Sequence, residues 1–415
     1  MMSISRRAFM RAGTLGLLSL GADPLFLGRT ALAARREGGG SGRTLVLLFQ
    51  RGAVDGLSMV VPAGDAWYWR ERERIALPRG DLLTLDDQFA LHPRLGALKT
   101  LWDRKLLSAI HAVGSPAPTR SHFEAQDAME SGVPDRPSTR EGWANRYLQL
   151  HDREHRDTPF RSVAFGPRLP RTLAGRAPSL VIDDLTTFGV RTARARGDTS
   201  MASAFESLYA GQDTGVVAAS ASEGFEAIRM LRDIDPGRLA PANGARYPGG
   251  RFGTSLRQIA QLIRAEVGLE IAFADIDGWD THVNQGASDG ALGRRLQEFG
   301  DGIGAFVTDL GPKMRDVVIL TMSEFGRTVR ENGNGGTDHG HGTAMFVVGD
   351  SVRGGTVAGR WPGLAPEARH EGRDLAVTSD YRDLFGEVLT SHLGSIDLTT
   401  IFPGHRAGPR LGLFG

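Results

Sequence analysis

Four short stretches of this chain bring carboxylates, imidazoles and a hydroxyl together. They are Asp55 in Gln50-Arg-Gly-Ala-Val-Asp55-Gly, the pair Ser121-His122, the triplet Asp280-Thr-His282, and Glu324 with the later run Asp338-His339-Gly-His341. Oxygen and imidazole donors in this mixture form the ligand set of a zinc, manganese or calcium centre of the hydrolytic kind. The 415 residues contain no cysteine, which excludes thiolate-bound zinc, iron–sulfur clusters, disulfide scaffolds and thiol catalysis. The chain also has no Gly-x-Ser-x-Gly elbow, no Gly-x4-Gly-Lys-Ser/Thr phosphate loop and no His-Glu-x-x-His. Gly333-Asn-Gly-Gly336 precedes the Asp-His run and reads as a turn that delivers it.

Each stretch follows a segment that reads as a strand. Thr44–Phe49, Leu107–Val113, Ser162–Phe165, Ser179–Asp183, Ile271–Ala274, Val317–Thr321 and Ala344–Val348 are short apolar runs of the kind buried on both faces of a sheet. Leu292, Leu296, Phe299, Ile303, Phe306 and Leu310 are spaced four and three apart, one apolar stripe of a helix that Gly311-Pro312 ends. Alternating strands and helices give an α/β fold with a largely parallel sheet. Ligands of such sheets sit beyond the carboxyl ends of the strands, so residues distant in sequence converge on one edge. Residues 44–415 read as a single domain, with an Ala/Gly/Arg-rich segment at about 190–255 as a possible inserted cap.

The first 33 residues read as an address. Ser5-Arg6-Arg7-Ala-Phe-Met-Arg11 resembles a twin-arginine export signal, a modestly apolar stretch runs from Gly13 to about Leu27, and Ala31-Leu-Ala33 supplies a small-x-small cleavage pattern at Ala33. Asp23-Pro24 interrupts the apolar stretch, so no stable membrane span is expected in the mature form. The expected mature protein begins with a flexible lead-in, residues 34–43, and is periplasmic or secreted. Its expected partner during export is the twin-arginine translocase. The leader takes four arginines and one aspartate with it, leaving 45 basic residues against 47 acidic, and this balance gives no reason to expect a nucleic-acid partner.

The combination of Gln50-Arg-Gly-Ala-Val-Asp55-Gly-Leu, Thr119-Arg-Ser121-His, Gly278-Trp-Asp280-Thr-His282, Ser323-Glu-Phe-Gly-Arg327 and Gly333-Asn-Gly-Gly-Thr-Asp338-His-Gly-His341-Gly resembles a bacterial, twin-arginine-exported domain-of-unknown-function family, number fifteen hundred and one, within the alkaline phosphatase and sulfatase superfamily. The resemblance implies an alkaline-phosphatase-like three-layer fold with helices on both faces of the sheet. It implies a metal-dependent hydrolase of phosphate or sulfate esters, acting on a small-molecule or polymer substrate. Asp55 would be the metal aspartate after the first strand, and Ser121 the nucleophile at a helix start, where the helix N-terminus favours an anion. Asp280 and His282 would be an Asp…His metal pair before the long helix, and the last metal histidine would be His341 or His339. Superfamily members carry Asp-His after the next strand, where this chain has Glu324-Phe325. Glu324 can replace the aspartate as an oxygen ligand and Phe325 cannot replace the histidine, so Asp338-His339 would fill in or one metal would be lost. The alternative is a non-catalytic exported binding protein with a degenerate metal site. Phe325 is expected to point away from the cluster, into the core.

The leader makes a direct prediction. Changing Arg6 and Arg7 together to Lys is expected to leave unprocessed precursor in the cytoplasm, read by fractionation and immunoblotting. Processed protein outside the cytoplasm in that variant would contradict the export assignment.

Overall fold

The first segment that can enter a core is the apolar run at Thr44–Gln50, and it forms the centre of the sheet. The computed structural model describes residues 42–135, 139–151, 158–185, 227, 230, 239–394 and 397–415. The leader residues Arg6, Arg7 and Ala33, and most of the suspected insert at 190–255, lie outside them. Residues 43–415 cluster as one unit.

The strands are β1 Thr44–Gln50, β2 Val60–Val61, β3 Leu83–Thr84, β4 Ala90–Leu91, β5 Leu107–Gly114, β6 Ser162–Phe165, β7 Leu180–Ile182, β8 Ile271–Ile276, β9 Val317–Met322, β10 Thr343–Val348, β11 Thr356–Ala358 and β12 Ser379–Asp380. The main sheet runs β11-β5-β10-β9-β1-β8-β6-β7, with β12 on β5, while β2, β3 and β4 form a small separate sheet. Strands β9, β1, β8, β6 and β7 are parallel to one another, with Leu45 level with Ile271 on one side and Val318 on the other. β10 is antiparallel to both β9 and β5. It therefore begins where β9 ends, and the residues just before Thr343 reach the same edge as the residues just after β1, β8 and β9.

The helices used below are α1 Gly96–Asp103, α2 His122–Ser131, α3 Trp143–Leu150, α4 Arg251–Arg264, α5 Ala291–Leu310 and α6 Tyr381–Val388. Alternation along β1 divides them between two layers. Val46 and Leu48 join the core that holds α1, α4 and the full stripe of α5, Leu292 to Leu310. Leu45, Leu47 and Phe49 join the core that holds Met129 of α2 together with α3 and α6. This is the largely parallel α/β sheet that the strand and helix patterns led us to expect, in the three-layer arrangement with helices on both faces that the resemblance implies. Among the described residues no helix is long and apolar enough to cross a membrane.

Glycine makes up 55 of the 415 residues, and close backbone approach of the loops at the carboxyl edge accounts for part of that content. A Cβ on Gly336 would lie 2.4 Å from the carbonyl carbon and oxygen of His282 and from Thr281 O, so the glycine-rich turn lies directly against the 281–282 backbone. Gly52, at φ +111°, does the same for β1: a Cβ there would lie 2.9 Å from Asp280 N. Gly333, in the same turn as Gly336, has open space around it. Gly336→Ala is therefore expected to destabilise the fold by about 2–3 kcal/mol through overpacking, and Gly333→Ala to stay within about 0.5 kcal/mol of the parent. Urea unfolding of the two variants measures the difference, and equal midpoints would refute the close-approach argument.

Candidate metal centre at the carboxyl edge of the sheet

His122 is the first residue of α2, which follows β5. Ser121 is its N-cap residue, and the Ser121 side chain makes no capping hydrogen bond. Asp280 and His282 lie in the loop after β8, and Glu324 directly follows β9 and Ser323. Asp338 and His339 are delivered by a short antiparallel pairing of the segments around Gly326 and Gly340, with Gly326 N donating to His341 O at 2.9 Å, Gly340 N to Gly326 O at 2.8 Å and Thr328 N to Asp338 O at 3.0 Å.

Three imidazoles meet there, and each is held by its Nδ1. His339 Nδ1 lies 2.8 Å from Arg120 O, which can only accept, so Nδ1 carries the proton. His282 Nδ1 is 2.9 Å from Asp338 Oδ1, which also accepts from Asn332 Nδ2. Burial would raise the Asp338 pKa, but the hydrogen bonds from Asn332 and His282 outweigh it and hold the carboxyl below its ordinary range. His122 Nδ1 is 2.9 Å from Glu324 Oε1. Glu324 is fully buried, yet its pKa is also held down, because the bonds from His122, Gln126 Nε2 and Gly52 N outweigh its desolvation. Both carboxylates are thus charged acceptors, and all three rings donate from Nδ1.

In the neutral rings each Nε2 is then the acceptor atom, and these atoms converge. His282 Nε2 is 3.0 Å from His339 Nε2 and 3.0 Å from Asp280 Oδ1, and His339 Nε2 is 3.3 Å from the same oxygen. His122 Nε2 is 3.6 Å from Asp280 Oδ2 and is buried with no hydrogen-bond partner. Acceptor atoms at these separations repel unless a proton or a cation lies among them, and Arg327, with Nη1 3.5 Å from His282 Nε2 and its guanidinium bonded to Asp280, supplies part of that charge. Ligand atoms of His122, Asp280 and His339 all fall within 4.8 Å of one another. That donor set fits zinc or another divalent metal, and the hydrogen bonds at Nδ1 fix the orientation of each ring as metal-binding histidines require.

Arg327 provides the local positive charge. Its buried guanidinium donates to Ala53 O and Thr337 O, to Gly52 O and Trp279 O, and to the Asp280 carboxylate. Burial alone would raise the Asp280 pKa, but the Arg327 hydrogen bond and charge outweigh it. The Glu324 hydrogen bond raises the His122 pKa, whereas burial lowers that of His339.

Of the residues singled out from sequence, Asp280, His282, Glu324, Asp338 and His339 are brought together, with Glu324 and Asp338 holding rings. Asp55 is not: it is fully buried in an ion pair with Arg72, at 2.6 and 2.9 Å to its two oxygens, with Gln285 Nε2 at 2.7 Å. His341 is not either. The bond from Gly342 N to Leu375 O draws its segment against the next loop, where its ring stacks on His370 at 4.3 Å, and burial lowers its pKa to about 4. Phe325 corrects an expectation. It is buried but does not turn away: it stacks on His122 at 5.0 Å and tilts against His339 at 5.1 Å, so it forms a wall of the cluster. His122 is the residue that sequence reasoning passed over as a ligand. Its signal was its place beside Ser121 at the end of a strand, where attention went to the hydroxyl.

The family model described as "Protein of unknown function (DUF1501)" matches residues 91–410. The chain belongs to this family. No curated protein matches it. Among solved structures it is similar to the C-terminal periplasmic domain of EcEptC from Escherichia coli in complex with zinc, at 11% identity and TM-score 0.35, over 76% of this chain and 75% of that one. It is also similar to the lipoteichoic acid synthase LtaP from Listeria monocytogenes (7%, TM-score 0.34, 75% and 66%). A third is the phosphonate monoester hydrolase of Agrobacterium radiobacter (11%, TM-score 0.30, 89% and 79%). At these TM-scores the likenesses carry no weight in the reading of the site, which rests on its own side chains.

The ligand assignment separates residues that all look plausible in sequence. Asp338→Ala and Glu324→Gln are each expected to weaken zinc binding by about 10–100-fold, and His341→Ala to leave it unchanged, measured by competition with a chromophoric chelator. Loss of binding in His341→Ala, or none in the other two, would contradict the assignment.

Proposed function

We propose that the chain is an exported, metal-dependent hydrolase of phosphate or sulfate esters. The observation that carries this reading is the buried His122 Nε2, which has no partner and faces Asp280 beside the lone pairs of His339 and His282. His122, Asp280 and His339 would hold the ion, with His282 next to it. Three protein ligands leave a coordination position for substrate, the arrangement of catalytic centres, whereas structural centres close all four. Zinc fits the imidazole-rich set best, and manganese or calcium are the alternatives. A bound divalent ion supplies Lewis-acid charge for an ester oxygen and lowers the pKa of a nearby hydroxyl.

The remaining work falls to the chain's own groups. Ser121 precedes a ligand, is half-buried and is free of capping duty, so its hydroxyl is the available nucleophile. The first-turn N–H groups of α2 favour an anionic group at that point. Glu324, Asp338 and Arg120 O keep the Nδ1 protons in place and the Nε2 atoms aimed. Phe325 excludes water from one side of two rings. The Asp280 side chain is 45% exposed, so the cluster opens to solvent and to a ligand.

Turnover of aryl phosphates, phosphodiesters and aryl sulfates by the mature protein tests this. Activity is expected to disappear on chelation, to return with zinc or manganese, and to fall at least about 10³-fold in Ser121→Ala. A second reading, metal-dependent binding without turnover, draws on the Arg327–Asp280 pair, which already neutralises one ligand. Bound metal with no turnover on any of the three ester classes would favour it and overturn the hydrolase.

A further inference from the structure

His122, Gln126 and Glu130 are spaced four apart on α2, so they share one face of the helix, each a turn beyond the last. Arg51, the residue after β1, runs along that face. It donates from Nη1 to Glu130 Oε1 at 2.9 Å and to Gln126 Oε1 at 3.1 Å, and from Nε to Asp275 Oδ2 of β8 at 2.7 Å. Gln126 Nε2 donates in turn to Glu324 Oε1 at 2.9 Å, and the same oxygen lies 2.9 Å from His122 Nδ1. A continuous path of hydrogen bonds therefore leads from a fixed cation, through one amide and one buried carboxylate, to an imidazole of the cluster.

The direction of this path is fixed at its far end. A guanidinium only donates and stays charged. The Gln126 atom that faces Arg51 must therefore be Oε1, which leaves the amide protons for Glu324. A reversed amide would set its carbonyl against the Glu324 carboxylate and its N–H groups against those of Arg51. Arg51 is itself held from two sides, by Asp275 and by Glu130, whose other oxygen accepts from Thr172 N at 3.0 Å and from the Thr172 hydroxyl at 3.1 Å. Glu324 is fully buried, and its Oε1 also accepts from Gly52 N at 2.8 Å. The carboxylate is thus gripped by the loop after β1 on one side and by α2 on the other. Removing the α2 grip would leave it free to rotate and to tilt the His122 ring with it.

We infer that Gln126, with its amide set by Arg51, is a positioning residue of the metal centre: it holds Glu324 so that His122 Nε2 is aimed at the ion. This rests on the metal-binding part of the proposed function and is independent of ester hydrolysis. Zinc affinity of the mature protein, measured by competition with a chromophoric chelator, tests it. Gln126→Met keeps the side-chain length and removes both hydrogen-bonding ends, and it is expected to weaken zinc about tenfold. Gln126→Asn, too short to span Arg51 and Glu324, should do the same while staying polar. The decisive comparison is between backgrounds. In Glu324→Gln the Gln126→Met change should cost nothing further, because it acts through Glu324, whereas in Asp338→Ala, which supports a different ring, it should cost its full tenfold. The cobalt-loaded protein gives an independent reading: the visible bands of Gln126→Met should shift from those of the parent towards those of Glu324→Gln. Parent-like affinity and bands in both Gln126 variants, or an equal loss in all three backgrounds, would overturn the positioning role and leave the metal centre standing. Failure of the parent to bind zinc or cobalt would overturn the two together.

Discussion

The buried guanidinium of Arg327 ties the carboxyl edge of the sheet together. Its donors reach the carbonyls of Gly52 and Ala53 after β1, Trp279 after β8 and Thr337 before β10, and then the Asp280 carboxylate. Arg327 itself follows β9. One side chain thus joins the loops of four neighbouring strands, and the carbonyls it satisfies would otherwise be costly unpaired acceptors. The antiparallel direction of β10 makes this possible, since it brings the segment before that strand to the edge where the parallel strands end.

The same arginine sets the electrostatics. Among the described residues Asp280 is the carboxylate that faces the three Nε2 atoms, and it comes with a fixed positive charge beside it. Asp338 and Glu324 act one step back, each neutralising and orienting a ring through Nδ1. In the proposed reading the cluster would accept a cation, with converging acceptors at the centre and a buried arginine behind them. Phe325, which in sequence appeared only as a missing ligand, holds two imidazole planes in place.

Much of the fold was legible in the sequence because burial on both faces writes itself as continuous apolar runs. Thr44–Phe49, Leu107–Val113 and Val317–Thr321 became strands within one or two residues of their expected ends, and the Leu292–Leu310 stripe became one helix ending at Gly311. The site was legible at the level of segments. Which residue of a segment points inward depends on hydrogen bonds to partners hundreds of residues away. Asp55 was indistinguishable from a ligand until Arg72, in the charged run Arg70-Glu-Arg-Glu-Arg74, was seen to occupy both its oxygens. His339 and His341 are two residues apart, and a single backbone bond from Gly342 to Leu375 separates their fates. His122 needed the knowledge that Glu324 lies opposite α2, a tertiary fact with no local signature.

The central claim is that one divalent ion lies among His122, Asp280 and His339. Anomalous diffraction at the zinc edge, on crystals of the zinc-loaded mature protein, tests it most directly. The account predicts a single strong peak within bonding distance of His122 Nε2, His339 Nε2 and an Asp280 oxygen. A peak between His341 and His370, one at Asp55, or none at the cluster despite stoichiometric zinc would contradict it.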